Sequence, residues 1–120
     1  MEELRKQWIT SEKEYREGEV FVYRQKFTAS QVKKAMFYGT ALGVYEAELN
    51  GTKIGRQMFA PGFSYYPRRV LYQTHEVTKL LREGENTLTV YLGQGWYCGR
   101  FLCENQTQIY GEQPAVAWIL

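Results

Sequence analysis

The sequence predicts an all-β fold, a β-sandwich of the jelly-roll type. Roughly six to eight short segments alternate apolar and polar residues with the period of two that a half-buried strand requires. Turn signals separate them every ~8–12 residues, and helical periodicity is almost absent.

The clearest of these segments runs from Tyr38 to Phe59. Tyr45, Ala47 and Leu49 share one face, and Glu46 and Glu48 share the other. Asn50-Gly51 follows at once. Both central residues of a type I′ turn need positive φ, which Asn tolerates and Gly adopts freely, so the chain is expected to fold back here. The returning arm carries Ile54 and Phe59.

Taken in order, residues 1–7 are charged and expected to fray, and Trp8-Ile9-Thr10 makes a short apolar contact before a charged loop that ends at Gly18. Val20–Thr28 is a strand with Phe21, Tyr23 and Phe27 inward and Val22, Arg24 and Lys26 on a wetter face. Val32–Thr40 reads the same way, with Ala35, Phe37 and Gly39 alternating against Lys34, Met36 and Tyr38, and leads into the hairpin. Residues 60–69 form a loop set by Pro61-Gly62 and Pro67, holding Phe63, Tyr65, Tyr66, Arg68 and Arg69. Val70–Val77 is a further strand. Thr78 to Arg82 reads as one helical turn, capped by Thr78 and closed by Gly84. Asn86–Gly93 turns Leu88, Val90 and Leu92 inward against Thr87, Thr89 and Tyr91, and opens into Gln94-Gly95-Trp96-Tyr97-Cys98-Gly99-Arg100. The chain finishes on the apolar run Ala115–Leu120, with no polar stop, which is the pattern of one domain cut short within its last strand.

Composition narrows the function. With 120 residues, 44% of them hydrophobic and 16% aromatic, the chain is one aromatic-rich domain able to bury a core without staples. A net charge of +2, with no basic run, is too small to direct it to nucleic acid or to an anionic membrane. Neither a signal-peptide pattern nor an apolar stretch of membrane-spanning length is present, so a soluble, cytoplasmic chain is expected. Cys98 and Cys103 lie close enough for a local disulfide but do not make a secreted framework, and they read as free thiols.

Trp8-Ile9-Thr10, Ala41–Gly51, Ala60-Pro61-Gly62-Phe63, Tyr72-Gln73-Thr74, Val77–Leu81, Gly84-Glu85-Asn86 and Leu92–Arg100, in this order and spacing, resemble the N-terminal β-sandwich domain of bacterial α-L-rhamnosidases. The resemblance covers nearly the whole chain from Trp8. It implies a galactose-binding-domain-like jelly roll set ahead of a large helical barrel, in a glycoside hydrolase that removes terminal α-L-rhamnose with inversion. The acid and base of that family lie in the barrel, so no catalytic residue is carried over. Three positions depart from the family's pattern: Phe63 stands where Trp is common, Gln94 where an acidic residue is usual, and Cys98 where Arg is frequent. Some relatives hold calcium on such a domain. That hard cation wants several oxygen ligands, and the Gln94 departure removes a carboxylate, so no cofactor or metal is assigned.

Two readings of the aromatic loops stay open. Trp96 and Tyr97, with Arg100 and with Asn50, Tyr65 and Tyr66 as neighbours, have the chemistry of a carbohydrate platform: aromatic faces to stack on a sugar ring and polar groups to hold its hydroxyls. The partner would then be a rhamnose-containing glycan. Alternatively the same aromatics plug the end of the sandwich or pack on the missing barrel, and the isolated chain self-associates through them. His75, the only histidine, lies in a strand far in sequence from either cysteine and reads as a surface or hydrogen-bonded residue. Glu46 and Glu48 read as a solvated face or as partners of Lys or Arg across the ladder. Gly93-Gln94-Gly95 lacks the Lys-Ser/Thr and the following helix of a phosphate loop, and Arg68-Arg69 reads as a solvated pair. No acid, base or nucleophile set is discernible, so the chain alone is expected to be an accessory, non-catalytic domain.

Overall fold

The structure is a computed structural model that describes residues 7–9, 19–56, 60–61, 71–93 and 115–120. Seven strands are found among them: β1 (Phe21–Ala29), β2 (Met36–Leu42), β3 (Val44–Leu49), β4 (Thr52–Lys53), β5 (Gln73–Glu76), β6 (Gly84–Gly93) and β7 (Ala115–Ile119). A 3₁₀ turn, Thr78–Leu80, separates β5 from β6. Two antiparallel sheets result, one ordered β1-β6-β3-β4 and the other β5-β2-β7. The all-β sandwich expected from alternation is what forms.

Burial shows why these segments are strands. In β3, Tyr45, Ala47 and Leu49 are buried; in β6, so are Leu88, Val90 and Leu92. The register sets Tyr45 against Leu92, Ala47 against Val90 and Leu49 against Leu88, so the apolar positions of both strands lie in matched rows on one face. Phe37, Ala41 and Val116 bring the second sheet onto this layer, and Phe21, Tyr23, Phe27 and Trp118 pack at its margin. The opposite face of β3 is polar. Lys53 Nζ stands 3.2 Å from Glu46 Oε1, and Tyr91 donates a 3.4 Å hydrogen bond to Glu48 Oε2, so the two glutamates are partners across the ladder.

The hairpin turn forms as read, with Asn50 at φ 53° and Gly51 at φ 84°, although its second arm is paired only over Thr52-Lys53. Ile54 stays buried and donates its N–H to Ala47 O. Phe59 lies outside the described residues.

Two expectations are corrected. The strand expected over Val32–Thr40 begins at Met36 and continues to Leu42. Its partner β5 ends at Glu76, opposite Met36, and Gln31 takes a positive φ of 54°, so residues 32–34 have no strand beside them. β2 does not pair with the hairpin: the chain changes sheet at Gly43, whose φ of 133° suits glycine. Thr78 does not cap the helical turn. Its hydroxyl accepts the Ala35 N–H at 3.0 Å and donates to Glu76, and Leu81 is already extended, so Gly84 opens β6 instead of closing a helix. The expected frayed N-terminus falls on residues mostly outside the described ones, but Ile9 is tied to Val116 by a reciprocal pair of backbone bonds at 2.8 and 3.0 Å.

Leu88 is enclosed between the sheets, whereas the Glu46–Lys53 pair is open to solvent. Leu88→Ala is expected to lower the unfolding free energy by about 2–5 kcal/mol and Glu46→Gln by less than ~1 kcal/mol, measured by urea titration.

Candidate functional site

Strand register determines where the two aromatic segments are rooted. Val44 pairs with Gly93 and Leu42 with Ala115, so residues 94–114 leave and re-enter the sandwich beside the sheet change at Gly43. The segment 62–70 has the same origin. Ala60 bridges Tyr45 at the start of β3, and Leu71 O accepts a hydrogen bond from the Thr40 hydroxyl near the end of β2. The described residues that flank both segments therefore lie at one end of the sandwich. Of the residues expected to form a carbohydrate platform, Trp96, Tyr97, Arg100, Tyr65 and Tyr66 belong to these segments and lie outside the described residues, as do Phe63, Gln94, Cys98, Cys103 and the Arg68-Arg69 pair.

The residues before the 62–70 segment are held specifically. Tyr45 N–H donates to Ala60 O at 2.8 Å, and its hydroxyl donates to Gln73 Oε1 at 3.0 Å. Gln73 in turn donates from Nε2 to Pro61 O at 3.1 Å. Tyr45 stands on the four-stranded sheet and Gln73 on the three-stranded one, so a single chain of hydrogen bonds joins both sheets to Ala60-Pro61, a cis peptide at the root of the 62–70 segment. Gly39 makes room for it, because a Cβ there would stand 2.6 Å from Phe37 Cε1 and 2.7 Å from the Tyr45 hydroxyl. Burial pushes the Tyr45 phenol well above the ordinary tyrosine range, since the phenolate would lose its water.

Asn50, expected as a neighbour of the carbohydrate platform, has a structural task in the domain. It lies at the opposite end of β3 from Val44, roughly 20 Å away at the usual rise per residue. Its Nδ2 donates to Leu80 O at 2.9 Å and to Asn86 Oδ1 at 2.8 Å, while its Oδ1 accepts the Thr87 N–H at 3.0 Å. Both amide hydrogens are thus engaged within the domain, and none is left for a sugar hydroxyl. Sequence reasoning had not singled out Asn86, which is fully buried and fully satisfied. It accepts from Asn50 and from Arg82 N–H and donates to Arg82 O and Gly84 O, at 2.8 to 3.0 Å. A polar residue one step before an alternating apolar run was the only available signal.

Among the described residues no three His, Cys, Asp or Glu side chains are grouped so as to hold a metal ion. His75 lies in β5, its ring against Gly55.

The described residues form a two-sheet antiparallel sandwich. The chain belongs to the α-L-rhamnosidase N-terminal domain family, whose model matches residues 30–120. An α-L-rhamnosidase of Streptomyces avermitilis is 48% identical over 86 residues, which is 72% of this chain and 8% of that protein. One from Formosa agariphila is 35% identical over 72 residues, or 60% of this chain and 8% of that protein. Among solved structures, native α-L-rhamnosidase from Aspergillus terreus superposes with a TM-score of 0.85 at 31% identity, covering 92% of this chain and 13% of that one. The Streptomyces avermitilis α-L-rhamnosidase complexed with L-rhamnose gives 0.77 at 42% identity, covering 81% and 10%. The chain thus spans about a tenth of the proteins it matches.

Asn86→Ala strands the Arg82 N–H and an Asn50 amide hydrogen in a buried setting, and is expected to cost about 1–3 kcal/mol in urea unfolding. Tyr45 gives a pH signature. Its folded pKa lies above the unfolded value of about 10, so its contribution is complete below pH ~10 and is lost as pH rises further, where the unfolded chain sheds a proton that the folded one keeps. Stability followed above pH 10 should fall with a component that is missing in Tyr45→Phe.

Proposed function

We propose that this chain is the accessory, non-catalytic sandwich of an α-L-rhamnosidase, in which it helps recognise or position rhamnose-containing glycans. The observation that carries this is the family assignment, joined to the position, at one end of the sandwich, of the described residues that flank both aromatic segments. Aromatic side chains provide flat apolar faces for a sugar ring, and the Tyr45–Gln73–Pro61 chain fixes the residue that precedes the 62–70 segment.

A second reading, that the domain buttresses a helical barrel in the same polypeptide, is favoured by a different surface. Between the edge strands β1 and β7 runs a groove of about 920 Å³ lined by Ile9, Val22, Tyr23, Trp118, Ile119 and Leu120 among others. Ile9, Val22 and Leu120 are exposed there, and the buried Tyr23 hydroxyl has no hydrogen-bond partner among the described residues. The exposed apolar residues of this face, set beside Gln7, Arg24 and Gln25, suit a protein neighbour or a second copy of the isolated chain.

Titration of the isotope-labelled chain with L-rhamnose, followed by amide NMR with calcium and then with chelator, separates the readings. Saturable shifts over residues 94–100 that vanish in Trp96→Ala, with the fold retained, are the expected outcome. Their loss on chelation would add a metal. A folded chain with no shift at millimolar sugar would leave the buttress reading, which predicts concentration-dependent self-association instead.

A further inference from the structure

The hairpin end of the sandwich carries a second concave surface, about 610 Å³, between the residues that follow β4 and the junction of β5 with the 3₁₀ turn. Lys53, Gly55 and Arg56 form one wall; Glu76, Thr78 and Lys79 form the other. Both walls are held rigidly. Ile54 N–H is bonded to Ala47 O, and Gly55, at φ 74°, lies so close to the His75 ring that a Cβ would stand 2.5 Å from Cε1. Opposite, Val77 N–H is bonded to Ala35 O, the Thr78 hydroxyl accepts from Ala35 N–H, and Leu80 O accepts from Asn50.

Charge in this groove is not balanced. Lys53 is neutralised by Glu46 at 3.2 Å, and Glu76 accepts a 3.2 Å hydrogen bond from Thr78. Arg56 and Lys79 have no carboxylate partner among the described residues. Among the described residues, two cations without a carboxylate partner therefore flank one carboxylate, and none of the residues that line the groove is Phe, Tyr or Trp.

We propose that this groove binds the carboxylate of an acidic sugar, a uronate within the glycan. The inference rests on the reading that the chain handles glycans, and it names a chemical class for a surface at the hairpin end of the sandwich. A sugar carboxylate carries a single negative charge that the planar Arg56 guanidinium can take through two parallel hydrogen bonds, with Lys79 as a second charge. The sugar's hydroxyls are donors, which Glu76 accepts. A phosphate dianion carries twice the negative charge and would meet the Glu76 charge more strongly. Without an aromatic face the binding is polar, exposed and sensitive to salt.

The test is an amide NMR titration of the labelled chain with glucuronate, with L-rhamnose and inorganic sulfate as parallel probes, at low and at high sodium chloride. Saturable shifts at Gly55, Arg56 and Glu76 to Lys79 with glucuronate are expected, weakened at least tenfold by high salt and by Arg56→Ala, and absent with sulfate. Lys79→Ala should weaken them as well, and serves if Arg56→Ala fails to fold. An equal response to sulfate would reduce the groove to a nonspecific anion patch, and a folded chain without saturable shifts there would overturn the proposal. Response to L-rhamnose over residues 94–100 with none to glucuronate would refute the groove and keep the glycan reading; response to glucuronate alone would do the reverse for the aromatic segments.

Discussion

The pairing of two side-chain amides, Asn50 and Asn86, is the constraint on which one end of this sandwich depends. Asn50 sits where the hairpin must reverse, in a backbone conformation that few residues other than glycine accept. Asn86 sits at the entry to the central strand of the larger sheet. Their hydrogen bond joins turn to strand, and the remaining bonds reach Leu80, Arg82, Gly84 and Thr87. The 3₁₀ turn and the hairpin are thereby held in one position relative to each other. A buried amide is costly unless all its groups are paired, so this network tolerates one arrangement and disfavours the rest.

At the other end, Tyr45 and Gln73 do comparable work between the sheets. Packing alone lets two sheets slide, because apolar contact has no direction. A phenol that reaches an amide, which in turn reaches a backbone carbonyl, gives the contact a fixed geometry. The sandwich thus has a directional tie near each end and a layer of Leu, Val, Ala and Phe between them.

The faces of the strands were legible in the sequence and their partners were not. Alternation over Tyr45–Leu49 and Leu88–Leu92 identified the buried rows correctly, because both strands are central and bury one side. Asn50-Gly51 identified the turn, because few dipeptides suit it. Nothing local told that β2 and β3, joined by a single glycine, belong to different sheets, since period two assigns sides and leaves neighbours open. The start of β2 was misplaced for the same reason: the length of β5 decides it. Thr78 resembles a cap by position, but its hydroxyl is claimed by Ala35, 43 residues away. Asn50 was read as a turn residue and as a neighbour of the carbohydrate platform; its partners at positions 80, 86 and 87 lie across a fold the sequence does not display. The aromatic content of 62–70 and 94–100 was plain; that the residues flanking both segments lie at one end emerged only from the register.

The Asn50 turn has a chemical consequence beyond folding. Asn-Gly sequences age, because the glycine nitrogen can attack the side-chain carbonyl, expel ammonia and leave, after hydrolysis, a carboxylate in place of the amide. In this domain three hydrogen bonds engage the side-chain amide and restrict the rotation that the attack requires, so folding slows the ageing of the turn. Once the reaction occurs, oxygen replaces the donor that faced Leu80 O and Asn86 Oδ1, and acceptors confront acceptors at two places. The hairpin thus couples chemical lifetime to conformational order: any opening of this corner exposes a slow and irreversible lesion that then prevents the corner from closing.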